Sequence, residues 1–193
     1  MAALLMLDDR MAETVRSTSE PVLGQIRLKW WHDALVALDD AAPPAEPLLQ
    51  AVARYAMIDG VRGTRLAAIP EAWSALLGSD LDDAVLEDFS VRGRVLFELA
   101  GMVAHAAPND PLALAGEGWA LADLARGLSG AGEAAAARAK ARVALDAACS
   151  MRWSRNGRAL GAMAHLARLD LAGHRPGSPR RVGRALWHRM SGR

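Results

Sequence analysis

Apolar residues along this chain recur every three or four positions and never alternate, a periodicity that predicts helices and no strands. The pattern is densest over residues 19–38. There Leu23, Ile26, Trp30, Ala34 and Leu38 fall at helical spacing, with Arg27 and Trp31 one turn apart on a flank. Ser19 is placed to cap this helix, Pro21 sits in the first turn where its missing N–H costs nothing, and Glu20 favours the positive end of the dipole. Two adjacent tryptophans are a large apolar anchor, and a central core helix is the simplest reading.

The same periodicity places the other elements. Residues 2–16 predict a first helix, with Leu4, Leu5, Leu7, Met11 and Val15 apolar and Asp8, Asp9, Glu13 and Arg16 on the polar face. A loop rich in Asp, Ala and Pro follows. Helices are then expected over about 47–58, ended by Asp59-Gly60, from Thr64 to Ile69, and from Pro70 to Leu77. Asp80 should cap a long helix over 81–106 in which Leu81, Val85, Phe89, Leu96, Leu99 and Val103 are apolar. Gly93 and Gly101 inside it signal a kink or a close helix approach. Asn109-Asp110-Pro111 should start a helix through about Leu128, where Gly116 and Gly118 each cost about 1 kcal/mol against Ala and so suggest close packing or a bend. Helices over 133–149, 155–171 and 180–190 complete the chain. No repeat and no dividing linker is visible, so the expected fold is an all-α, single-domain helical bundle.

Composition agrees and narrows the setting. A length of 193 residues with 52% apolar residues is enough for one core. The single Cys149 excludes an intrachain disulfide and a cysteine metal site, which fits a reducing, cytoplasmic compartment. No signal peptide is expected, because Asp8 and Asp9 interrupt the first apolar run, and nothing approaches about 18 uninterrupted apolar residues. The formal net charge of +1 hides a division: residues 1–133 hold 10 basic against 20 acidic side chains, and residues 134–193 hold 13 against 2. Either the two parts face each other, or the basic end meets an anionic partner.

The string Ser19-Glu20-Pro21-x-x-Gly24-Gln25-x-Arg27-Leu28-x-Trp30-Trp31-x-x-Ala34-Leu35 resembles the squalene/phytoene synthase family. It resembles in particular a degenerate bacterial branch of that family, which is similar to a mitochondrial assembly factor for respiratory complex I. The match is strong over residues 15–38 and weaker but collinear beyond, ending in Pro-Gly-Ser-Pro-Arg-Arg at 176–181. The resemblance implies the isoprenoid synthase fold with an apolar central cavity. It also implies two aspartate-rich motifs on facing helices, whose Mg²⁺ ions bridge a prenyl diphosphate and neutralise the leaving group. By this likeness Gln25, Arg27 and Trp31 contact substrate, Asp9, Glu13 and Asp123 are the metal ligands, and Asp123 and Arg126 are the catalytic pair.

Both motifs are depleted. The first falls on Ala12, Glu13 and Arg16, with Asp9 and Glu13 one turn apart but no third acid. The second matches Ala120-Leu121-Ala122-Asp123-Leu124-Ala125-Arg126-Gly127, which keeps Arg126, carries Asp123 in place of an Asn, and lacks the family's Gln and final Asp. Glu117 and Asp123 are six apart and do not chelate one ion together, whereas Asp123 and Arg126 suit an i,i+3 ion pair. The family's tyrosine motif is missing; Phe89 is the nearest aromatic, and Arg92 and Arg94 after it suit an exposed face or an anionic headgroup. The expectation is therefore a protein with eroded chemistry that binds a prenyl or other lipid-like ligand or serves as an assembly factor. An active Mg²⁺-dependent prenyltransferase is the alternative.

Other clusters are weaker. The acids from Asp80 to Asp88 suit the N-terminus of a helix, and the five histidines show no ligand spacing. The last helix carries Arg180, Arg181, Arg184, His188 and Arg189 beside Val182, Leu186, Trp187 and Met190, with no acid. It either docks on the acidic part of the chain or lies, through Arg180, Arg181, Arg184 and Trp187, on an anionic membrane surface such as the inner membrane. Outside this tail the chain is acidic, which argues against nucleic acid.

Overall fold

In the first helix, α1 (Ala2–Arg16), Leu4, Leu7 and Met11 are fully buried at helical spacing. Asp8 is buried on the same stripe rather than on the polar face expected for it. The computed structural model describes residues 1–58, 60–78 and 80–193. Among these, every regular element is a helix.

The Trp-Trp helix, α2 (Pro21–Ala37), turns a different face inward from the expected one. Gly24, Leu28, Trp31 and Leu35 are buried, while Val22, Leu23, Ile26 and Trp30 are exposed. Its sequence is apolar on nearly every side, so tertiary packing chooses the face. A Cβ at position 24 would come within 2.8 Å of the Leu77 side chain, which seats this glycine against the turn below. Ser19 does not cap the helix; Glu20 holds the N-cap position in extended backbone, and Pro21 opens the first turn.

Short helices follow: α3 (Pro47–Tyr55), α4 (Gly63–Leu66) and α5 (Ala68–Ser74), with a 3₁₀ turn at Ala75–Leu77. The stop expected at Asp59-Gly60 falls partly on Asp59, outside the described residues; α3 has ended by Tyr55. Pro70 sits in the first turn of α5 rather than opening a helix of its own. Asp39 caps α4 from 24 residues away, accepting from Gly63 N at 2.6 Å and Thr64 N at 3.1 Å.

The long helix α6 (Asp83–Val103) is capped by Asp82, whose carboxylate accepts from Val85 N at 2.9 Å, not by Asp80. It packs on α7 (Leu112–Gly127), which in turn meets α8 (Ala131–Ser150) and α9 (Arg158–Leu171). Glycine makes this possible. A Cβ on Gly93 would lie 2.0 Å from the Gly116 carbonyl oxygen, and one on Gly116 would lie 2.0 Å from that of Gly93. The crossing is thus backbone against backbone, the close approach that glycines inside helices signalled. Asp110 does not cap α7. It is buried, and its carboxylate accepts from Ser154 N at 2.7 Å and Ala107 N at 3.0 Å, tying the loop before α7 to the loop before α9.

The last helix, α10 (Pro179–Ser191), docks on α9 and the Trp153 loop, not on the acidic part of the chain. His188 is fully buried there, edge-on to the His165 ring with centroids 4.6 Å apart. Gly192, in left-handed backbone, closes the helix and accepts from Trp153 N at 2.7 Å. The two charge regions are not mutually neutralised: among the described residues one ion pair crosses the division, Lys140 to Asp83 at 3.4 Å.

Candidate functional site

Three helices converge on one buried guanidinium. Arg92 lies on the core stripe of α6 between Phe89 and Leu96, and it is 2% exposed. Its Nε and Nη2 donate to Asp8 of α1 at 2.5 and 2.6 Å, a two-pronged grip on both carboxylate oxygens. Nη2 also donates to Asp123 of α7 at 3.0 Å, and Arg126 donates to the other Asp123 oxygen at 2.6 Å. Trp73 of α5 completes the shell of Asp8, its indole N–H donating at 3.0 Å.

Aromatic rings close the remaining sides. The guanidinium carbon lies 4.4 Å from the Trp73 ring centre, 4.9 Å from Trp119 and 5.1 Å from Phe89. Arg92 and its aromatic neighbours thus fill the space between α5, α6 and α7. Burial pushes the Arg92 pKa down, but the Asp8 and Asp123 charges and hydrogen bonds more than offset it and leave the pKa raised. Burial likewise pushes Asp123 up, yet Arg92 and Arg126 hold it below the usual carboxylate value. Asp123 is therefore an anion at neutral pH, locked to Arg92 and Arg126.

Of the residues expected to act together, Asp123 and Arg126 are in contact, whereas Asp9 and Glu13 face outward on α1. Asp9 is exposed, and Glu13 is exposed in an ion pair with Arg10 at 3.3 Å. Asp123 pairs with Arg126 as its spacing suggested, and Glu117 pairs with Arg94 at 3.2 Å. Gln25 borders a surface groove of about 280 Å³ with Lys29, His32 and Glu71. Arg27 is exposed and donates to Thr18 Oγ1 at 3.0 Å. Trp31 is buried edge-to-face with Trp30, centroids 5.2 Å apart. Among the described residues no three His, Cys, Asp or Glu side chains are grouped to hold a metal. The donor set does not fit Mg²⁺: the acids that do approach each other, Asp8 and Asp123, spend their oxygens on guanidinium and indole donors.

Asp8, Trp73 and Arg92 were missed as a unit, and Arg92 is buried where an exposed face was expected. A signal existed. Asp8 sits between Leu4, Leu7 and Met11, and Arg92 between Phe89 and Leu96, each a charge at a position whose neighbours at helical spacing are core residues.

The last helix presents the second candidate surface. Opposite its docked side, Val182, Leu186, Trp187 and Met190 are 52–76% exposed along one stripe, with Arg180 and Arg189 at its borders. Arg181 is engaged inward by Asp170, and Arg184 leans on His165. No described helix is long and apolar enough to cross a membrane. Comparison with protein-family models, with curated proteins and with solved structures finds no match.

Proposed function

We propose that this chain is a non-catalytic accessory protein built on a helical framework of the squalene/phytoene synthase type. The observation that carries the reading is the Asp8–Arg92–Asp123 bridge. In a diphosphate-ionising enzyme, acids on facing helices must present free oxygens to hard cations. Here the facing acids of α1 and α7 hold a side-chain cation that is covalently part of α6. The bridge supplies cohesion where such an enzyme needs an open charge. Incubation with geranylgeranyl diphosphate and Mg²⁺ is expected to give no condensed or hydrolysed product. Turnover that disappears in Asp123→Ala would restore the prenyltransferase reading.

A second reading is supported by a different observation, the exposed apolar stripe of α10 bordered by arginines. A helix with this face, and no acid to repel anionic lipid, suits a peripheral position on a membrane surface. It describes where an accessory protein works and is compatible with the first. Flotation with anionic vesicles that is lost in Leu186→Ser/Trp187→Ser supports it; flotation unchanged in that variant excludes it.

A further inference from the structure

We propose that the open cavity between α8, α9 and α10 binds a phosphate or diphosphate group. The cavity measures about 530 Å³ and is lined by Arg142 and Asp146 from α8, His165 and Arg168 from α9, and Arg180 and Arg184 from α10. Four guanidiniums from three helices thus share one space with one carboxylate.

That carboxylate is committed: Asp146 accepts from Arg168 Nε at 2.5 Å. Asp170, the other acid of the basic region, is taken by Arg181 outside the cavity lining. No acid among the described residues pairs with Arg142, Arg180 or Arg184. Arg184 instead donates to His165 Nδ1 at 3.1 Å. Burial, reinforced by Arg184, pushes His165 down to about 3, so the ring is neutral at pH 7 and aims the guanidinium without cancelling its charge.

Convergent like charges repel, and an anion between them relieves the repulsion. The choice of arginine narrows the anion. Planar guanidinium forks match the oxygens of phosphate and pyrophosphate, and several forks from different helices suit a group with many acceptor oxygens better than a lone carboxylate. The contrast with the arginines of α6 and α7 is direct. Arg92, Arg94 and Arg126 each have a carboxylate within 3.2 Å, whereas three of the four arginines here have none. Arg180 lines the cavity and also borders the apolar stripe of α10, so a phosphate on a lipid headgroup and a free one both have access.

The test uses the full chain and inorganic pyrophosphate in titration calorimetry, alongside flotation with phosphatidylcholine vesicles containing about 20 mol% phosphatidic acid. Arg142→Gln/Arg180→Gln is the diagnostic variant, since both side chains are exposed and the fold does not depend on them. Arg54→Gln, an exposed arginine on α3, is the charge control. Saturable pyrophosphate binding that weakens ~10-fold or more in the double variant and is unchanged in the control supports the proposal and assigns a free ligand. Vesicle binding that depends on the same pair, without pyrophosphate binding, supports it and assigns the headgroup. Equal loss in the Arg54 control, or no dependence of either signal on Arg142 and Arg180, overturns it. The outcome is independent of the Asp8–Arg92–Asp123 reading, which prenyl diphosphate turnover tests. Leu186→Ser/Trp187→Ser removes the apolar stripe while leaving pyrophosphate binding intact.

Discussion

Arg92 in the middle of the molecule and Arg184 at its end are both guanidiniums held against a titratable group on a neighbouring helix. Arg92 faces two carboxylates, is sealed by aromatic rings, and is the electrostatic centre of a closed core. Arg184 faces a neutral histidine and opens onto a cavity with other uncompensated arginines. The first arrangement uses up its charge internally; the second leaves charge to spare. Burial alone does not explain the difference, because His165, the partner of Arg184, is as buried as Asp8. What differs is whether the partner carries an opposite charge.

The largest expected effect comes from breaking the compensated end. Arg92→Met should destabilise the protein by about 3–5 kcal/mol, because it strands the Asp8 charge in the core and removes the contacts with Trp73, Trp119 and Phe89. Asp8→Leu/Arg92→Met, which removes the acid as well, should recover a large part of that loss. Urea denaturation reads both. A single variant within about 1 kcal/mol of the wild type would show that the bridge contributes little beyond filling space.

A second comparison tests the scaffold that brings the bridge together. Gly116→Ala places a methyl against the Gly93 carbonyl oxygen and should cost about 1–3 kcal/mol despite the better helix propensity of alanine. Gly183→Ala makes the same change on α10, where nothing lies within 4 Å, and should instead stabilise by about 0.5–1 kcal/mol. Thermal unfolding of the two variants should move in opposite directions. Equal shifts of one sign would mean that α6 and α7 part readily at this crossing.

Much of this architecture is legible in the chain, and the illegible parts share a cause. Helical order is set by local periodicity, so α1, α6, α8 and α9 fall close to where spacing puts them. The glycine crossing is legible too, because Gly93 and Gly116 weaken their own helices and so require a packing reason. Which face α2 buries is not legible: Leu23, Ile26 and Trp30 are as apolar as Leu28, Trp31 and Leu35, and only the neighbouring helices decide. The caps expected at Ser19 and Asp80 fall instead to Glu20 and Asp82, and a cap that arrives from far away, as Asp39 does at α4, leaves no local signal. The candidate site fails for the same reason. Ligand spacing on one helix is local information, whereas the meeting of Asp8, Arg92 and Asp123 joins residues 84 and 31 positions apart.

The smallest effect separates the two ends by pH. At the central bridge Asp123 is held below 3.8, so the stability it contributes is complete above that value and is lost only as pH falls further. At the C-terminal end burial, with Arg184 in support, lowers His165 to about 3, and burial lowers His188 below 6.5 as well. Unfolded histidines take up protons near 6.5 while these two resist, so their contribution is complete above 6.5 and declines as pH falls toward the folded values. By about pH 5 the α10 docking should have weakened by about 1 kcal/mol, the nominal linkage being discounted for solvent screening of the ring edges. Hydrogen exchange, corrected for its intrinsic pH dependence, should show α10 amides losing protection between about pH 7 and 5 while α1 and α6 stay protected. His165→Asn should flatten much of that response, since an amide has no proton to gain. If α10 loses protection only together with α6, below about pH 4, then carboxylates rather than histidines set acid sensitivity at both ends. The contrast between a guanidinium facing an anion and one facing a neutral ring would then have no bearing on stability.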